Sequence, residues 1–147
     1  MRYQVPAVLL AETFASLRQC GGGRRECQVL WTSEWARPEI ICGLAHPKHR
    51  AHGGGFEVTS GWISDFWREL SRTRRGIRVQ IHTHPEEAFH SSTDDAFPII
   101  HEAGFLSLVI PDFARGPVSF DRAYLTEITP DGAWREVAPE SRLEITP

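Results

Sequence analysis

Two histidines one residue apart stand in a run that otherwise reads as an extended strand, Arg78-Val79-Gln80-Ile81-His82-Thr83-His84. Successive side chains of a strand point to opposite faces, so His82 and His84 share one face while Val79, Ile81 and Thr83 share the other. Two imidazoles at that spacing on a rigid strand can grip one metal ion. Pro85 ends the strand, and seven residues separate His84 from Ser92-Thr93-Asp94-Asp95. A loop of that length can fold back and bring Asp95 in as a third ligand. Two nitrogens and one carboxylate oxygen make a three-ligand zinc set with a fourth position open to water, which is what separates a catalytic zinc site from a structural one. Such a site polarises a carbonyl and makes water acidic near neutral pH, but a hydrolase still needs a general base, usually a carboxylate. Seven histidines in 147 residues give about 0.3 His-x-His pairs by chance, so the pair alone carries little weight; requiring Ser and Asp at fixed offsets cuts this to roughly one in a thousand.

The elements that must position these groups follow from periodicity. Residues 6–18 read as a helix, with Leu10, Phe14 and Leu17 on one face and Pro6 suited to its first turn; Gly21-Gly22-Gly23 stops it. Residues 26–31 and 39–44 read as strands, 46–55 as a long polar loop and 56–58 as a third short strand. Residues 60–74 form the clearest helix, its stripe made of Ile63, Phe66, Trp67 and Leu70, with Thr59 or Ser60 to cap it and Arg72, Arg74 and Arg75 at its end. The histidine strand spans 77–84. Pro98 confines the next element to a capped turn at 92–95 and regular helix only after 97, up to 103. Residues 105–110 form a continuous apolar run, as in a buried central strand, followed by strands at 118–128 and 135–137. Strands separated by helices, with hairpin-like pairs at both ends, indicate a mixed sheet flanked by helices.

Composition excludes several classes. The chain weighs 16.6 kDa, the size of one domain, with 41% apolar and 24% charged residues. A net charge of −3 and a pI near 6.1 give no general nucleic-acid footprint. No run approaches a membrane span, and the first residues lack the apolar stretch of a signal peptide. Three cysteines, Cys20, Cys27 and Cys42, are an odd count without Cys-x-x-Cys spacing. A disulfide framework and a cysteine-rich zinc knuckle are therefore not expected, Cys27 and Cys42 read as small buried apolar residues, and a reducing cytoplasm is the simplest compartment.

His82-Thr83-His84, a seven-residue spacer, and then Ser92 and Asp95 resemble the zinc signature His-[Ser/Thr]-His-x7-Ser-x-x-Asp of the JAB/MPN (JAMM) metalloprotease family, in a compact prokaryotic-type form. The order of elements fits over most of the chain. The resemblance implies an α/β, cytidine deaminase-like fold, residues 1–147 as a single domain, and Zn2+ held by His82, His84 and Asp95. Ser92 would hydrogen-bond the developing oxyanion, although its side chain could instead cap the turn at Asp95. The family's catalytic glutamate, often in Glu-x-x-Gly-x-Leu-x-Gly, corresponds to Glu26, with Val29 where the glycine is usual; an ion pair with Arg24 or Arg25 is the plain alternative, and Glu39 and Glu57 are rivals at strand starts. Members cleave after the terminal glycine of ubiquitin or ubiquitin-like proteins. The implied partners are such a protein or its conjugates, with E1-like and E2-like enzymes of an anti-phage pathway. Trimming of a sulfur-carrier protein and a non-catalytic scaffold role are the alternatives. A zinc deaminase would need His-x-Glu and Pro-Cys-x-x-Cys, which are absent.

The remaining polar features read more plainly. His46, His49 and His52 sit in the glycine-ended loop, read as a solvated flap over the substrate tail more than as a second metal site. His90 and His101 have no metal role, the latter as a helix residue. Glu86 and Glu87 put negative charge at the rim, suited to a basic tail. The five tryptophans are core candidates, except that Trp62 lies off the helical stripe and is free to face a partner.

Overall fold

The computed structural model describes residues 1–47, 49–52, 55–89 and 99–147, with the backbone alone at 49–52 and 55–58. The elements are β1 (Tyr3–Pro6), α1 (Ala7–Gly21), β2 (Gln28–Glu34), β3 (Gly43–Ala45), β4 (His49–His52), β5 (Gly55–Val58), α2 (Ser60–Thr73), β6 (Arg75–Thr83), β7 (Leu106–Ile110), β8 (Tyr124–Ile128), β9 (Trp134–Val137) and β10 (Leu143–Thr146), with short 3-10 turns at Asp112–Ala114 and Pro139–Ser141. Six strands form one sheet in the order β3-β2-β6-β7-β8-β9. Only β6 and β7 run parallel; the other neighbours are antiparallel. The histidine strand β6 therefore has a partner on each side.

Two cores cover the two faces. On one, Leu9, Leu10, Phe14 and Leu17 of α1 cluster with Val29, Trp31, Val79, Ile81 and Leu108. Trp31 is fully buried there, and its indole N–H donates to Thr13 Oγ1 at 2.9 Å, so its one polar atom is satisfied. On the other face, Trp62, Phe66 and Leu70 of α2 gather with Leu30, Ile77, Phe105 and Ile128. A β-bulge separates the two assignments. Trp31 pairs with Val79 but Thr32 pairs with Ile77, so Arg78 is the extra residue, and Ile77 and Val79 serve opposite cores although they lie two apart. Arg78 donates from Nε to Ser33 Oγ at 2.8 Å. At the sheet edge, β3 approaches β2 so closely that a Cβ on Gly43 would lie 2.2 Å from Thr32 Oγ1.

β1 and β10 form a separate parallel pair, Tyr3 opposite Leu143 and Val5 opposite Ile145. The other edge of β1 is also occupied: Gln4 N–H donates to Glu39 O at 2.7 Å and Ile41 N–H to Gln4 O at 2.9 Å. Tyr3, Val5 and Leu143 thereby join the α1 core.

Several expectations need correction. The stretch 46–55 is not a plain loop: β4 and β5 pair as an antiparallel hairpin, His49 opposite Val58 and His52 opposite Gly55. Residues 99–103, the described part of the expected helix, form bends, a turn and irregular chain; the capped turn at 92–95 lies outside the described residues. The strand expected over 118–128 shortens to β8. Trp67 is 42% exposed, whereas Trp62 stacks on Phe66 at 4.7 Å, so α2 is rolled about one residue from the expected stripe. Trp35 is exposed as well. Cys20 and Cys27 are joined by a disulfide, and Cys42, expected in a strand core, is exposed. An odd count rules out a framework but not a local pair, and here the end of α1 and the start of β2 meet. Among the described residues no helix is long and apolar enough to cross a membrane.

Glu127 of β8 ties the far edge together. It accepts from Arg142 Nε and Nη2 and from Arg135 Nη2 across the β8–β9 ladder. The Arg142 guanidinium, then Arg135, hold its carboxyl below the ordinary value of 4.5. A depressed folded value stabilises the fold above the ordinary carboxylate range, and that gain disappears as pH falls through it. Glu127→Gln should therefore cost about 1 kcal/mol in denaturant unfolding at neutral pH, a charge-assisted pair discounted for screening, and the difference from wild type should shrink below about pH 4. A gap that stays constant through acid contradicts this assignment.

Candidate functional site

β6 ends at Thr83, and His84 follows directly. His82 is fully buried and His84 is 4% exposed. Their rings stand 5.2 Å apart, tilted by 47°. Strand alternation puts both on the face turned towards α2, with Gln80 two residues earlier. The His84 ring meets Phe89 edge-on at 4.5 Å, and Phe89 is itself half exposed, giving the pair an apolar wall on the solvent side.

The backbone at His84 is clamped by the turn after β7. His84 N–H donates to Ile110 O at 3.0 Å, Phe113 N–H to His84 O at 2.9 Å, and Asp112 N–H to Glu86 O at 2.9 Å. Asp112, Phe113 and Ala114 all have left-handed φ values of 55°, 51° and 61°, costly for three consecutive residues that are not glycine. Outside contacts hold this turn in place. Arg122 pairs with Asp112, and the Arg18 guanidinium of α1 donates to the carbonyls of Ala114 and Gly116.

Glu26 is positioned through its neighbour. Cys27 N–H donates to Thr83 Oγ1 at 2.9 Å, and Thr83 N–H donates to Cys27 O at 3.1 Å. Gln28 pairs with His82, so continuing the register puts Cys27 opposite Thr83 and Glu26 opposite His84. Alternation then gives Glu26 the same face as the two histidines, where it is half-buried. Glu39 lies beyond the far end of β2, whose Ser33 pairs with Gly76, five strand steps or about 17 Å from the histidines. Glu57 lies in β5, of which only the backbone is described.

Ser92 and Asp95 lie outside the described residues, as does His90. The chain just after them is anchored. Ile99 N–H donates to Gln80 Oε1 at 3.2 Å, and Gln80 Nε2 donates to Ser107 Oγ at 3.0 Å. Gln80 is a positioning residue that motif reading missed, and Thr83, the middle residue of the histidine motif, carries a positioning role that the motif did not assign to it. The available signal was a buried amide inside an apolar strand, two residues before His82 on its face.

Two buried imidazoles converging on one face fit a cation that takes nitrogen ligands. Gln28 Oε1, beside His82 in register, is buried with no hydrogen-bond partner among the described residues, an acceptor waiting for a donor at that spot. Glu86 and Glu87 are exposed beside the histidines. The other histidines described are elsewhere: His101 is exposed in irregular chain, not a helix, His49 and His52 belong to β4, and His46 lies against Cys27 Sγ.

No protein-family model matches the chain. A stretch of 66 residues, 44% of the chain, is 42% identical to the probable metalloprotease y4jG of Sinorhizobium fredii, and the match spans 41% of that relative's length. Among solved structures, that of protein DSY2949 from Desulfitobacterium hafniense superposes with a TM-score of 0.67 at 13% identity, covering 98% of this chain and 92% of that one. AF2198, a JAB1/MPN domain protein from Archaeoglobus fulgidus, superposes with a TM-score of 0.54 at 11% identity, covering 97% and 98%.

Gln80→Met keeps the volume of the side chain but removes both hydrogen bonds. It should cost about 1–3 kcal/mol in denaturant unfolding and speed hydrogen exchange at the Ile99 amide. Wild-type protection of that amide in the variant contradicts the anchoring role.

Proposed function

Starting from a chain built on the JAB1/MPN fold, we propose that it is a zinc metallopeptidase, which cleaves after the C-terminal glycine of a ubiquitin-like protein. The observation that carries this reading is the pair of buried imidazoles, His82 and His84, 5.2 Å apart on one face of β6. The 42% identity to a probable metalloprotease over 66 residues supports it. In this reading His82, His84 and Asp95 hold the ion. When bound, zinc supplies Lewis acidity, which polarises a carbonyl oxygen and makes water acidic near neutral pH.

The other steps belong to the chain. Glu26, opposite His84 in register, takes the proton of the attacking water and delivers it to the leaving amine. The Ser92 hydroxyl donates to the oxyanion that develops on the scissile carbonyl. Gln80 holds the chain behind the Ser92–Asp95 segment, and Thr83 holds the strand end that carries Glu26. Glu86 and Glu87 offer negative charge to a basic tail at the rim. The partners of this reading are a ubiquitin-like protein or its conjugates, with E1-like and E2-like enzymes of a cytoplasmic anti-phage system.

Incubation with a ubiquitin-like fusion, with and without chelator, tests the proposal. Cleavage should stop with chelator and return with zinc. Glu26→Ala and Ser92→Ala should each retain metal by elemental analysis and lose about 100- to 1,000-fold in turnover, the usual cost of losing a proton carrier or an oxyanion donor. Wild-type turnover in Glu26→Ala removes that residue as the base. A pure protein without bound metal and without chelator-sensitive cleavage leaves only a scaffold role.

A further inference from the structure

The disulfide between Cys20 and Cys27 has a third group beside it. His46 Nε2 lies 3.2 Å from Cys27 Sγ, and the two sulfurs and this nitrogen all fall within 4.8 Å of one another. We infer that Cys20, Cys27 and His46 form a second metal site, closed as a disulfide when oxidised and open to a thiophilic divalent cation when reduced.

The geometry suits both states. A tetrahedral zinc with Zn–S near 2.3 Å and Zn–N near 2.0 Å sets its donors about 3.5–3.8 Å apart; His46 Nε2 already stands near that range from Cys27 Sγ, and the two sulfurs, bonded in the oxidised state, must part to reach it. One ligand is rigid: the Cys27 backbone is bonded to Thr83 through both its N–H and its carbonyl. The other cysteine sits in the last turn of α1, directly before Gly21-Gly22-Gly23, where the helix ends with Gly22 and Gly23 in the left-handed region. Access is asymmetric. Cys27 is buried, Cys20 is partly exposed and His46 is exposed, so a thiolate reaches the Cys20 sulfur first and a cation enters from the His46 side. Cys27 belongs to the α1 core, on the face of the sheet opposite the two strand histidines, so the two sites do not share ligands.

The exchange balances with a dithiol as the two-electron reductant. Its thiols become a disulfide, the Cys20–Cys27 bond breaks, the two protein sulfurs take a divalent cation, and two protons are released to solvent.

Cobalt(II) is the probe, added to chelator-stripped protein with the disulfide intact and again after reduction by a phosphine. Reduced wild type should bind about one equivalent more than oxidised protein and show a thiolate-to-cobalt charge-transfer band. Cys20→Ser should lose the band, and His46→Ala should weaken this binding about tenfold or more, while Cys42→Ser and His82→Ala keep it. Cys20 rather than Cys27 is replaced because it is less buried, and unchanged circular dichroism confirms that the variant folds. A reduced wild type without the band, or a band that persists in Cys20→Ser or vanishes in Cys42→Ser, overturns the inference.

Discussion

The antiparallel pairing of β2 with β6 fixes the relation between the strand that carries the two histidines and the segment that carries Glu26. Gln28 faces His82, and the two bonds between Cys27 and Thr83 lock the next step. A slip of one residue would turn His82 and His84 into the α1 core and bring Val79 and Ile81 to the polar face. The alternating burial of Val29, Trp31, Val79 and Ile81 in one core prevents it. The site thus inherits its geometry from the most strongly determined feature of the sheet, and its polar groups sit where register, not loop conformation, decides their place.

The bulge at Arg78 lets one strand serve two purposes. Before it, Ile77 supplies the core under α2; after it, the same face carries Gln80, His82 and His84. A regular strand would have put Ile77 and Val79 into the same core. The extra residue is paid for locally, by the Arg78–Ser33 hydrogen bond at the edge of the α1 side. The left-handed turn at Asp112–Ala114 plays a comparable part at the other end of β6, strained by itself and held by Arg18 and Arg122 so that the His84 backbone cannot shift.

Much of this was legible in the chain. Strands with several inward residues, β2, β6 and β7, and the helices α1 and α2 announce themselves by period, and the histidine pair falls on one face as alternation requires. β1 and β10 did not, because each is four residues long and their partners are far apart in sequence. The roll of α2 escaped because Trp62 and Trp67 are equally apolar, and only the shape of the sheet beneath selects which is covered. Gln80, and the part played by Thr83 within its motif, escaped because their roles are hydrogen bonds to chain segments that the motif does not link to them. The Cys20–Cys27–His46 cluster escaped for a related reason: parity arguments count cysteines, while proximity is set by where α1 ends against β2 and where β3 ends.

The parallel ladder between β1 and β10 has a bearing on how the molecule is made. Tyr3 and Val5 leave the ribosome well before the strand that flanks them on one side. Until Leu143 arrives, the α1 core lacks one wall, and β1 has only the 39–41 segment to occupy its other edge. Closure of this high-contact-order pair therefore comes after the elements between its strands have been made, and a nascent chain waits until then with that seam open.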